Sequence, residues 1–166
     1  MSIRLLKIIL VTFVGLQGWA YVAGNLANYE AALGAVTYVL GMEGHAIYSN
    51  HIFPSITNST LITLALILIL IGEFLVGAFS LKGAFDLWKV RNASASDFNH
   101  AKSNAILGAG TALIVWFGGF IVIGGGLFQM WQTAAGGASF NGAFIYAATS
   151  GLVLLFINSP DVDKSI

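Results

Sequence analysis

Thr60–Leu81 reads TLITLALILILIGEFLVGAFSL, and Glu73 is the only ionisable residue within it. On a helix rising about 1.5 Å per residue, Glu73 lies roughly 20 Å from Thr60 and roughly 14 Å from Lys82. That places it near the midplane of a hydrocarbon core about 30 Å thick. A carboxyl there costs on the order of 3 kcal/mol to insert, so Glu73 is expected to face protein or water rather than lipid.

The rest of the chain agrees with a membrane setting. Its 166 residues have a mean hydropathy of +0.85, and 8% of them are charged. Soluble domains carry about 25%, so this is the composition of an integral membrane protein. The formal net charge is +0 and no basic patch is present, which argues against nucleic acid as a partner. The absence of cysteine excludes disulfides, thiolate metal sites and thioether-linked haem.

Arg4 and Lys7 precede an apolar run from Ile8 to Ala23. A cleaved signal peptide fits poorly, because Tyr21 stands where a small residue is wanted, so 5–22 reads as a first transmembrane helix. Gln17 is its one strongly polar interior side chain apart from the Thr12 hydroxyl. Between Asn25 and Ser59 there is no Lys or Arg, and Tyr29, Leu33, Val36 and Leu40 share one helical face. An external interfacial helix is expected over about 26–40, capped by Asn25 or Asn28, ended by Gly41, and packed on the bundle or a partner.

The second span covers about 60–82 and continues amphipathically to Arg91, with Lys82 the expected partner of Asp86. Ser94-Ala-Ser-Asp97 fits a capping box opening a third helix, whose span covers about 105–128. Its glycines, among them Gly118, Gly119, Gly124 and Gly125, suit close helix packing in lipid, and Gly124–Gly126 suggests a kink or unwound end. The fourth span, about 140–157, presents Ser139, Ala143, Ala147 and Gly151 as a small-residue packing ladder.

Orientation follows from the basic residues. Arg4, Lys7, Lys82, Lys89, Arg91, Lys102 and Lys164 all fall on one side of a four-span topology, and the two opposite loops hold none. Both termini are therefore expected on the cytoplasmic side of the membrane.

Several stretches together resemble a bacterial family of predicted small integral membrane proteins of unknown function. They are Asn25-Leu-Ala-Asn-Tyr29, Tyr38-Val-Leu-Gly-Met-Glu43 and the Glu73 helix, followed by Phe98-Asn-His-Ala-Lys102, Trp116-Phe-Gly-Gly-Phe120 and Phe128-Gln-Met-Trp-Gln132. The resemblance covers nearly the whole chain and implies a four-helix fold with a glutamate in the second span, here Glu73. Family members also look to have an acid and a tryptophan after the paired glycines of the third helix. This chain has Gly126 and Leu127 there, so the resemblance does not extend to any role for that second acid. It implies no activity and no ligand.

Glu73 has two readings: a proton or cation relay or charged anchor, and a protonated structural carboxyl bonded to Gln17, Thr111, Thr149 or a backbone carbonyl. Glu43, His45 and His51 match no metal-ligand spacing and read as loop polar residues, so no metal is expected. Trp19, Tyr21, Trp88, Phe128 and Trp131 read as an interfacial belt. No histidine falls within a span to ligate haem or chlorophyll, and no catalytic constellation appears, so no cofactor and no enzymatic activity are expected.

The expected architecture is an all-α, four-transmembrane-helix bundle with an external interfacial helix. The expected function is a non-catalytic accessory, assembly or scaffold subunit in the lipid bilayer, partnered by other membrane subunits or by itself. The alternative is a small transporter or channel that uses Glu73 as an intramembrane site.

Overall fold

The computed structural model describes residues 2–48 and 50–163. Lys164, counted above in the orientation argument, lies outside them. All regular structure among the described residues is helical: α1 (Ile3–Ala27), α2 (Tyr29–Leu40), α3 (Ser59–Lys89), α4 (Ala95–His100), α5 (Ser103–Leu113), a π-helical stretch (Ile114–Leu127), a 3-10 turn (Met130–Gln132) and α6 (Ala134–Asn158).

Four of these segments are long and apolar enough to cross a membrane: Ile3–Ala27, Ser59–Lys89, Ala95–Leu127 and Ala134–Asn158. Each reaches beyond the apolar run that marks it in the sequence, because side-chain caps carry the helices further. Ser2 accepts from the Leu5 amide, Asn58 from Leu61, Ser94 from Asp97 and Thr133 from Gly136. Ser94 Oγ also donates to the Asp97 carboxylate at 2.8 Å. Asp97 thus meets the serine hydroxyl rather than reaching back to its amide.

α1 and α3 form the primary hairpin, and α5 packs on α3 with α6 beyond it. The α1–α3 approach is close because glycine lines it: Gly18 faces the backbone of Glu73 and Gly77, and Gly77 lies under the Trp19 ring. The α3–α5 seam is as tight, with Gly83 against the Ala105 backbone and Gly108 against Ser80. One apolar core, including Leu87, Phe98 and Ile157, fills the charged end of the bundle. A second, around Val14, Val76 and Trp116, fills the middle.

α2 does not stand apart from this hairpin. It follows α1 after a break at Asn28 alone, whose side chain bonds back to Gly24 O rather than capping α2. Its far end returns to the start of α3, where the Ile56 amide donates to Leu40 O at 2.8 Å. Gly15 lies opposite Leu81 at the other end of the pair, so α1 and α2 track α3 in nearly constant register.

The third span departs from the expected α-helix. α5 stops at Leu113, and the next 14 residues wind as a π-helix. Its last turn closes when the Phe128 amide donates to Ile123 O at 3.0 Å, one residue wider than an α-helical bond. The glycines at 118, 119 and 124–126 place few side chains on this wall, so little resists the wider turn. The stretch ends at Gln129, in the left-handed region at φ 51°.

Candidate functional site

Glu73 projects from the middle of α3 into the α1–α3 seam and is 1% exposed. A helical side chain leans toward the N-terminus of its own helix. Its carboxylate therefore meets a residue near the end of α1: Asn25 Nδ2 donates to Glu73 Oε2 at 3.0 Å. Among the described residues no cation comes within 4 Å of it. The Asn25 amide is its one side-chain partner among the described residues.

The partners expected for Glu73 are corrected here. Gln17 makes no bond to it and is half-buried. Thr111 and Thr149 donate to carbonyls of their own helices, Leu107 O at 2.8 Å and Ile145 O at 2.9 Å. Asn25 was legible as a polar residue one helical face along from Gly18 and Tyr21, but it was read as a cap.

Near this seam three aromatic rings close the interior. Tyr21, Tyr146 and Trp116 meet at centroid separations of 4.9, 6.1 and 5.5 Å, and the two tyrosine hydroxyls hydrogen-bond to each other. Tyr21 is thus a partly buried residue packed against the central core. Trp19 is 44% exposed and donates its indole N–H to Phe74 O at 3.3 Å.

The small residues divide into two groups. Gly124 abuts the Met130 side chain, Gly125 the Phe140 ring, and Gly151 stands 3.6 Å from Leu113 when given a Cβ. Ala143 and Ala147 are buried in the central core. Gly118 and Gly119, by contrast, face open space, and Ser139 is exposed. Within one chain these three do not pack on a neighbouring helix, because the π-helical phase turns the paired glycines outward.

The charged end holds a cluster that the sequence did not suggest. Lys7 and Lys102, 1% and 4% exposed, each place the ammonium 2.7 Å from Asp161 Oδ2. Both also donate to Ser159 O, at 2.8 and 2.7 Å. Asn99 binds the Asp161 backbone at both its amide and its carbonyl. Arg4 lies on the Phe98 ring and donates to Ala93 O at 2.7 Å. Burial opposes ionisation of Asp161, but the Lys102 and Lys7 ammoniums outweigh it and hold the carboxyl below its usual range. The effect is to strap the segment after α6 across α1, α4 and α5. Lys82 and Asp86 pair as expected, at 2.7 Å on the surface.

At the opposite end, the loop after α2 brings His45 and His51 together, with centroids 5.6 Å apart. Burial, then the neighbouring His51, lowers the pKa of His45. Glu43 does not join them: no group of three or more His, Cys, Asp or Glu suited to an ion occurs among the described residues.

No curated protein and no solved structure matches this chain. Residues 3–160, however, match the family described as predicted small integral membrane protein (DUF2165), and the chain belongs to that family.

Proposed function

We propose that this integral membrane protein is a small non-catalytic subunit that assembles with other transmembrane helices, either copies of itself or a larger complex. The supporting observation is the set of glycines with nothing against them. A Cβ added at Gly110, Gly118 or Gly119 in the third span meets no atom within 4 Å, whereas the seams at Gly77, Gly83 and Gly108 are closed. Glycine weakens a helix by roughly 1 kcal/mol relative to alanine. In lipid its use is to let another backbone come close. A span that spends glycines on an uncovered face fits one that expects a partner there. The polar clusters support an orientation too: the end rich in Arg and Lys lies in the cytoplasm and the histidine loop outside, in a bacterial inner membrane.

A second reading rests on Glu73, whose sole side-chain partner among the described residues is Asn25. On that reading a neighbouring subunit opens the seam and the carboxyl relays a proton or cation. Gentle native extraction followed by mass spectrometry of co-migrating species tests the first reading. A discrete larger assembly supports it, and a bare monomer defeats it. Proton or ion flux through vesicles carrying the protein, abolished by Glu73→Gln, would establish the second.

A further inference from the structure

We propose that the outer loop holds a divalent transition-metal ion between His45 and His51. The ring centroids stand 5.6 Å apart, with the planes tilted by 60°. An ion bound to two imidazoles at about 2.0–2.1 Å sets the ring centres roughly 5–6 Å apart. Plain aromatic packing also occurs at such distances, so the spacing alone does not decide. Two other observations do.

The first concerns the His51 proton. Gln132 Oε1 accepts the Ile47 and Tyr48 amides at 3.0 and 2.9 Å, which fixes which end of that side chain is oxygen. Gln132 Nε2 must then donate, and it does so to Gln129 Oε1 at 2.6 Å. Gln129 Oε1 is therefore an acceptor, and His51 Nδ1, at 3.3 Å from it, carries the proton. That leaves the Nε2 lone pair of His51 free for an ion. A ring N–H held by a carbonyl is the outer-shell arrangement that orients metal-ligating histidines.

The second concerns His45. Its Nδ1 is buried and has no hydrogen-bond partner among the described residues. An unsatisfied buried polar atom is destabilising. Coordination would supply the missing partner. A cleft of about 580 Å³ borders His51, with Asn50 and Phe53 also in its wall.

Imidazole donors suit zinc, copper and nickel rather than magnesium or calcium. With two protein ligands, the remaining positions belong to water, and the affinity is micromolar rather than that of a closed structural site. The ion would tie the loop between α2 and α3, through Gln129, to the turn before α6.

The test uses the full chain in detergent, carrying no histidine tag and stripped with chelator. Calorimetric titration with Zn²⁺ is expected to show one ion per chain. His45→Ala and His51→Ala should each weaken it more than tenfold. Gln129→Asn, which keeps the left-handed backbone but shortens the side chain, should weaken it about tenfold. His100→Ala, at the other end of the bundle, should leave it unchanged. The paramagnetic spectrum of Cu²⁺ on the unaltered chain should show two nitrogen couplings, a readout that needs no variant to fold. Binding only at millimolar Zn²⁺, binding that survives both loop variants, or a copper spectrum without nitrogen coupling overturns the proposal.

Discussion

The two ends of this bundle treat their polar groups in opposite ways. At the end bearing both termini, the ammoniums of Lys7 and Lys102 share one carboxylate, and Asn99 fastens the backbone beside it. Among the described residues, that carboxylate and both ammoniums are fully partnered, the ammoniums donating to Ser159 O as well. Toward the other end, among the described residues, Glu73 has one amide for company, a buried His45 nitrogen has none, and Gly110, Gly118 and Gly119 of the third span face open space. On the proposed function, the difference separates what this chain needs to fold from what it leaves for a partner. Changes at the completed end should damage the fold, and changes at the open features should spare it and affect binding.

The largest effect is expected at Asp161. Asp161→Ala leaves two buried ammoniums uncompensated, which typically costs about 3–5 kcal/mol. Thermal unfolding in detergent should register this as a large drop in midpoint. An unchanged midpoint would mean that the strap contributes nothing to the fold. Acid should act at the same residue. Because the folded-state pKa of Asp161 is depressed, its contribution is fully present above the ordinary carboxylate pKa of about 3.9 and is lost as pH falls through the depressed value. Stability measured against pH should therefore hold steady down to about pH 4 and decline below it. Asp161→Asn should shrink that limb, leaving the part contributed by Asp86, whose carboxylate pairs with Lys82.

Next in size is Gly83→Leu. The obstacle is the Ala105 backbone, which cannot step aside as a side chain would. Overpacking of this kind costs roughly 1–3 kcal/mol, and separation of α3 from α5 would show as faster hydrogen exchange on both helices. Glu73→Gln should cost less than about 1 kcal/mol, since a neutral amide can keep a bond to Asn25. A loss as large as that of Asp161→Ala would show that Glu73 is charged and that the seam depends on its charge. The smallest effect on folding is expected from Gly118→Leu, where the added side chain enters open space.

How much of this was legible in the sequence depended on the distance over which each feature acts. Spans, caps and the Lys82–Asp86 pair need only neighbours within one or two turns, and Ser94 and Gly41 could be read in place. The Glu73–Asn25 bond joins two helices, and nothing local indicates which face of α1 meets α3. Lys7 and Asp161 are 154 positions apart. Read separately, they are a juxtamembrane lysine and a tail aspartate. The paired glycines at 118 and 119 were recognised as packing residues, but their direction depended on a π-helical phase that an α-helical reading cannot anticipate. His45 and His51 failed every linear ligand spacing because they meet across a folded loop.

The most direct test of the division between fold and assembly is native mass spectrometry of the double variant Gly118→Leu, Gly119→Leu beside the unaltered chain, with unfolding midpoints measured on both. The account predicts a larger assembly for the unaltered chain, its loss in the variant, and midpoints alike. An assembly that persists in the variant, or an unaltered chain that is monomeric from the start, would contradict it.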